Sequence, residues 1–339
     1  MYNASFTILY MLMKKNSLFA LLFFIVSTAL SAKVITVDNN AGAVAQFNNI
    51  TDAYAAAEDD DIILLAGSAT SYGAIDCYKR LQFIGNGYFL ANNSTPGLNK
   101  ATATLNISFK EDVNTGLGDS SNSSVLGLAG LYTSPVSVSG LTIDKCYGTG
   151  NWVFDGTVAV TRSFHTGRLY LRESSSSVSN SIVNYLHITE ENITATHCVV
   201  TTACYNVANT SISSTIFMAT TPANLETNAN ITYSINVGLD DLVPDGVGNN
   251  TTGQILANVF TLEGGSGAVD KYYQTKEGGA ADNTGNNAGT EDMGAFGGAV
   301  PYVLSGVPGI PRMTYFAVPS IATGLTPLEF EGSARSIPE

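Results

Sequence analysis

The densest group of chemically capable side chains in this sequence is basic and aromatic. Arg162, His165, Arg168 and Arg172 fall within eleven positions of a chain whose net charge is −13. Arg168, Tyr170 and Arg172 alternate, so on a strand they share one face. Tyr185, His187 and Thr189 repeat that alternation 17 residues later. Guanidinium groups fork onto carboxylates, and aromatic faces stack on sugars. Arg168, Tyr170, Arg172, Tyr185 and His187 therefore form a candidate ligand strip, suited to an acidic glycan. The competing account is a solvated strand face whose cations meet acids in neighbouring loops.

Catalytic carboxylates are harder to find. Glycoside hydrolysis needs an acid and a base across the bond. No Asp occurs between Asp155 and Asp240, and the acids of that stretch are Glu173, Glu190, Glu191 and Glu226. Glu190 and Glu191 are sequence neighbours that point apart on a strand or turn, and read as a solvated bend. The run Glu58-Asp59-Asp60-Asp61 has no calcium-loop spacing and reads as a solvated connection, as do Asp240, Asp241 and Asp245. No cofactor is indicated, and calcium has no motif. His165 has no carboxylate partner fixed by sequence, and His197 reads as structural. Trp152 and Phe154 share a strand face and belong in a core. Four cysteines, Cys77, Cys146, Cys198 and Cys204, match no zinc spacing. They are small buried thiols or, in an oxidising compartment, a disulfide.

The elements that position these residues follow from a repeat. An apolar or β-branched residue, two variable residues, a small polar residue and an apolar residue recur as Val178–Ile182, Thr194–Cys198, Ile212–Ile216, Ile231–Ile235 and Ile255–Val259, with a looser copy at Val138–Ile143. The period is too short for two helices and suits one turn of a β-solenoid. In the alternating segments between copies, Leu169, Leu171, Leu186 and Ile188 face inward. Ser181, His197, Thr215, Ser234 and Asn258 are expected to form a polar ladder at the bends. Only 13% of residues are charged while 45% are hydrophobic. Disorder fails on the second number. A stacked architecture explains both, because like charges directly above one another repel.

The ends differ from the middle. Lys14 and Lys15 precede an apolar stretch, Asn16–Leu30, with small residues to Ala32, which reads as a secretory signal peptide over 1–32. The run is shorter than the ~20 residues that span a bilayer. Residues 48–58 predict an N-terminal capping helix, with Asn48 or Asn49 as cap and Ile50, Ala53, Tyr54 and Ala57 on one face. The Gly- and Asn-rich residues 271–298 are expected to fold over the last turn. Pro301, Pro308, Pro311, Pro319, Pro327 and Pro338 predict an extended tail, loose beyond residue 328.

The rungs, the start Val34–Asn40 ahead of a capping helix, Gly85–Leu90, Glu291–Gly298 and Pro301–Gly306 carry a resemblance. The chain resembles secreted bacterial right-handed parallel β-helix repeat proteins, which share the pectate-lyase-like fold and are largely of unknown function. That resemblance implies an all-β solenoid over 33–300 with the tail at 301–339. It also implies the calcium-binding acids and basic proton acceptor of the lyases, or the paired aspartates of the hydrolases, and the central rungs lack both. The reading that follows is an exported, monomeric, noncatalytic module that recognises polysaccharide or cell-surface glycan along a lateral strip. Its alternatives are a polysaccharide lyase or glycoside hydrolase, and a structural surface spacer. The acidic charge argues against nucleic acid and anionic membranes as partners, and no integral span is expected in the mature chain.

Overall fold

The computed structural model describes residues 32–93, 100–112, 116–130, 136–205, 209–218, 230–238, 247–265, 267–286 and 290–309, with the backbone of 312–317 and 331–335. The leader, Glu226, the loop of Asp240, Asp241 and Asp245, and the tail beyond residue 335 lie outside the described residues. No described helix is long and apolar enough to cross a membrane.

The unit from Val34 onward is a parallel β-helix. Ten strands form one sheet, from Val34–Val37 to Asn230–Thr232, each paired in parallel with the strand one turn away. Register runs unbroken through Ile35, Ile63, Phe83, Val125, Ile143, Val160, Val178, Ala195, Ile212 and Ile231. All ten are buried. A second sheet of eight strands contains Phe164–Leu171, Ile182–Ile188 and Val199–Tyr205. Its inward residues, among them Leu169, Leu171, Leu186, Ile188, Val183 and Val200, close the same core. Parallel strands sit ~4.8 Å apart, so each apolar side chain packs on its equivalents above and below.

The bends carry a polar ladder, one residue away from the expected place at one rung. The N–H of Cys146 donates to Ser163 Oγ (3.1 Å), that of Ser163 to Ser181 Oγ (3.1 Å), and that of Cys198 to Thr215 Oγ1 (3.4 Å). Thr215 N–H donates to Ser234 Oγ (3.3 Å), and Ser234 N–H to Asn250 Oδ1 (2.9 Å). Each hydroxyl donates in turn to a carbonyl two residues earlier, as Ser181 does to Ser179 (2.8 Å). Cys198, not His197, holds the ladder position, because Ala195, not Thr194, pairs with Val178 and Ile212. Asn258 is also displaced. It lies in the short helix Leu256–Val259, and Asn250 ends the ladder. The residue before each ladder position is left-handed: Lys145, Arg162, Asn180, His197, Ser214 and Tyr233 have φ between 46° and 53°. That conformation costs an L-residue roughly 1–2 kcal/mol, and the stacked hydrogen bonds at the bend offset it.

The N-terminal edge is covered as expected. The helix Ile50–Ala56 is capped by Asn49, whose side chain accepts from Asp52 N–H (2.9 Å), and Ile50 and Ala53 are buried. Lys79 Nζ donates to the carbonyls of Tyr54 (2.9 Å) and Ala57 (2.7 Å) at its C-terminal end, where a cation suits the helix dipole. Phe47 N–H donates to Thr36 O (3.1 Å) on the edge strand.

The C-terminal segment does not cover the last turn alone. It runs back along the side of the solenoid. Ile182, Val199, Ile216 and Ile235 form an outward apolar row on the second sheet, and Val259, Phe260, Tyr273, Ala281, Met293, Ala295 and Tyr302 bury it. Gly294 N–H donates to Ser214 O (2.7 Å), and Asn180 Nδ2 donates to Ala295 O (3.2 Å) and Gly297 O (2.7 Å). Tyr88 N–H donates to Ser305 O (2.7 Å), one end of this strap. There the fully buried Asp270 accepts from Asn93 Nδ2 (2.8 Å), Lys271 N–H (3.0 Å), Tyr302 OH (3.2 Å) and Ser305 N–H (2.5 Å). Burial pushes its carboxyl up, and those donors pull it back. In the tail, Arg312–Ala317 and Glu331–Arg335 pair as antiparallel strands, and Pro319 and Pro327 fall between them in sequence.

The ladder makes a quantitative expectation. Ser181→Ala strands the buried Ser163 N–H, which costs about 1–3 kcal/mol. Ser179→Ala, two residues earlier and partly exposed, stays within about 0.5 kcal/mol. Urea unfolding of the two variants at neutral pH checks the difference, and equal midpoints would refute the ladder's role.

Candidate binding strip

Three neighbouring strands of the second sheet build the strip. Arg168 pairs in register with Tyr185, and Tyr185 with Ala203. Tyr170 pairs with His187, and His187 with Tyr205. Between these rows Leu169, Leu186 and Cys204 point into the core and are buried. Alternation therefore forces the other two rows outward. All five residues singled out in the sequence, Arg168, Tyr170, Arg172, Tyr185 and His187, fall on this one face.

The rings stack up the sheet. The centroids of Tyr170 and His187 are 4.5 Å apart at 28°, and those of His187 and Tyr205 are 4.5 Å apart at 22°. Tyr185 sits 6.5 Å from His187. Both guanidinium groups lie against phenol rings: Arg168 Cζ is 5.3 Å from the Tyr185 centroid, and Arg172 Cζ is 5.1 Å from that of Tyr170. Arg168 Nη1 also reaches Tyr170 Oη at 3.4 Å. This arrangement revises one expectation. The faces of Tyr170 and His187 are taken up by neighbours in the stack, so the strip offers ring edges and hydroxyls rather than open platforms for a sugar. Its recognition chemistry is cation and hydrogen bond.

The two cations are differently engaged. Arg172 Nη1 is 3.4 Å from Asp155 Oδ1, with both side chains about 40% exposed. An exposed pair of that kind is worth about 0–1 kcal/mol, so a ligand carboxylate can compete for it. Arg168 has no acid within ion-pair distance among the described residues. Beside it a polar row continues the face: Asn184 Nδ2 donates to Thr166 O (2.9 Å), and Thr201 and Thr202 donate to Asn184 Oδ1.

His187 sits between two rings and near two cations. Its pKa is lowered from the usual imidazole value, first by burial and then by Arg168 and Arg172. Tyr205 was not among the residues picked out from the sequence. Its signal was the rung spacing itself, since positions 170, 187 and 205 are one turn apart, but a single Tyr at the end of an alternating segment carries no mark of its own.

The remaining chemically capable residues are placed elsewhere. Arg162 turns to the bend and binds Asp144 through two contacts, Nε to Oδ1 at 2.8 Å and Nη2 to Oδ2 at 2.6 Å. His165 points inward onto Trp152, with ring centroids 4.3 Å apart. Trp152 and Phe154 are core residues, as expected. His197 lies under the strap, Nε2 3.6 Å from Glu291 Oε2. The acidic run is structural: Asp60 pairs with Arg80 (2.5 Å), Asp59 accepts Arg80 N–H, and Asp61 accepts Glu58 N–H. Glu190 and Glu191 are exposed in a turn. All four cysteines are free and buried, which removes the disulfide alternative. Burial pushes the Cys198 and Cys204 thiols up to about 12, so neither is a nucleophile at neutral pH. No group of three or more metal-ligating side chains occurs among the described residues.

No family model matches this chain, and no curated protein matches it. Among solved structures it is similar to a pectin methylesterase from Aspergillus niger, at 14% identity over 77% of this chain and 95% of that one, with a TM-score of 0.29. A likeness of that degree carries no argument about activity, and the fold rests on the strand pairing described above.

His165 generates a pH prediction. It is 1% exposed, and neither ring nitrogen makes a hydrogen bond. The Gly150 backbone beside it offsets a smaller part of the effect of burial. Burial lowers its pKa to about 3. An unfolded imidazole titrates near 6.5, so below that pH the unfolded chain binds the extra proton. Its contribution to stability is whole above pH 6.5 and falls by ~1.4 kcal/mol per pH unit toward pH ~3. In His165→Leu the unfolding free energy should fall less steeply between pH 6.5 and 5, by about one proton's worth. Parallel slopes for the two proteins would contradict a buried neutral imidazole.

Proposed function

We propose that this chain is an exported, noncatalytic module that binds an acidic polysaccharide along the face of Arg168, Tyr170, Arg172, Tyr185, His187 and Tyr205. The observation that carries this reading is the pair of guanidinium groups held over tyrosine rings on one face, one without an acid among the described residues and the other with an exposed, replaceable one. Planar guanidinium is weakly hydrated and matches carboxylate in a two-point fork. Holding it over a phenol ring reduces the freedom lost on binding. The hydroxyls of Tyr170 and Tyr205 and the Thr202–Asn184–Thr166 row supply donors and acceptors at the spacing of the strands, which suits a repetitive polymer better than a compact ligand.

The leader and the acidic net charge support the same reading. An acidic protein with one local basic face selects where a polyanion docks, because the rest of its surface repels it. Every residue named on this face comes from one chain, which supports binding by a monomer.

Affinity electrophoresis and titration calorimetry against polygalacturonate and a neutral dextran test this. The native protein should bind the uronate and not the dextran, with affinity falling as salt rises. Arg168→Gln/Arg172→Gln should weaken binding about tenfold or more, the equivalent of ~1.4 kcal/mol. Arg80→Gln, which removes a cation engaged elsewhere, should leave it unchanged. Shortened polymer after incubation would replace this reading with a polysaccharide lyase or hydrolase, and unbound, intact polymer would leave the spacer reading.

A further inference from the structure

His187 occupies the middle of the strip, and its surroundings differ from those of an ordinary surface imidazole. Both faces are covered, by Tyr170 from the preceding strand and Tyr205 from the following one, each at 4.5 Å. Tyr185 flanks it on its own strand at 6.5 Å. The charged groups that act on it are Arg168 and Arg172. Asp155 reaches Arg172 rather than His187. No described carboxylate forms an ion pair with the imidazole, and its Nε2 is buried without a partner.

We infer that His187 couples anion binding to proton uptake, so that the strip holds acidic polymer more tightly as the pH falls below neutral. This inference rests on the binding reading above and names the regulation of that same site. Two opposing fields act on the ring. The two guanidinium groups and the partial burial disfavour a third cation in the patch. The two phenol faces favour one, since each ring presents its negative quadrupole to the imidazole. In the free protein the first pair dominates, and burial with the two guanidinium groups holds the His187 pKa below the usual imidazole value.

A bound polyanion changes the balance. Carboxylates on Arg168 and Arg172 cancel the repulsion and bring negative charge to the patch. The phenol sandwich then holds the imidazolium. By linkage, whatever raises the proton affinity of the complex makes binding stronger at lower pH by the same factor. One unit of difference in pKa between the free and bound states is a tenfold gain in affinity once the pH is below both values.

The experiment measures the affinity of the full mature chain at pH 7.5, 6.5 and 5.5 for two probes, polygalacturonate and dextran sulfate. Sulfate esters keep their charge throughout this range, so any rise in affinity for dextran sulfate comes from the protein. Native protein should bind both probes several-fold more tightly at pH 5.5 than at 7.5. His187→Phe preserves an aromatic ring in the stack and should bind with a flat profile. In NMR titrations of the native protein, the His187 ring protons should report a higher midpoint in the presence of dextran sulfate than in its absence. A flat native profile, a slope unchanged in His187→Phe, or an unmoved His187 midpoint would overturn the inference while leaving the binding reading intact. Loss of binding at every pH, or binding indifferent to Arg168→Gln/Arg172→Gln, would instead overturn the reading beneath it.

Discussion

In a parallel solenoid each side chain meets its own equivalent one strand above and one strand below, ~4.8 Å away. That repeated contact is the constraint from which the rest of the molecule follows. Apolar residues tolerate it best, and the unbroken row from Ile35 to Ile231 runs the length of the ten-stranded sheet. Hydroxyls and amides tolerate it when each donates to one neighbour and accepts from another, as Ser163, Ser181, Thr215, Ser234 and Asn250 do. Like charges do not tolerate it, because directly opposed ions repel. The scarcity of charged residues and the abundance of Ser, Thr and Asn are two results of one geometry.

The strip is what that geometry does with aromatic and basic residues. Tyr170, His187 and Tyr205 stack because flat rings on successive rungs meet face to face, with centroids 4.5 Å apart. Arg168 and Arg172 can stand on one face because they lie two residues to either side of Tyr170 on one rung and not on adjacent rungs. Arg168 has Tyr185 on the next rung, and Arg172 has Asp155 on the preceding one, where a second cation would repel. The same reasoning places Arg162 elsewhere: it occupies a left-handed bend position, and its guanidinium folds back onto Asp144.

A solenoid with an apolar outer row on one sheet also needs a cover. Ile182, Val199, Ile216 and Ile235 face outward on the second sheet, and the strap that buries them is tied to the bends at Asn180 and Ser214 and to Tyr88 near its end. The buried Asp270 is affordable there because four donors converge on it. The strap shields the face formed by the early residues of these strands. The strip is formed by their later residues, beyond irregularities at His165/Arg168 and Val183/Tyr185. One set of strands thus presents a covered apolar face and an open polar one.

Period and alternation alone determined the solenoid, the inward faces of Leu169, Leu171, Leu186 and Ile188, the capping helix after Asn48 or Asn49, and the common face of Arg168, Tyr170, Arg172, Tyr185 and His187. These are local or strictly periodic properties, and strand chemistry has a period of two whatever the neighbours do. Tertiary structure decided the rest. Register at the rung of His197 could be drawn from Thr194 or Ala195, and only pairing with Val178 and Ile212 placed Cys198 in the ladder, since a slip of one residue exchanges the two faces. Residues 271–298 carry no repeat, so their path was set by the apolar row they bury, itself made of residues far apart in sequence. Tyr205 joined the stack, and the ring faces closed against one another, because partners on neighbouring turns are 17 or 18 residues apart. A local pattern has no means of recording which ring lies against which.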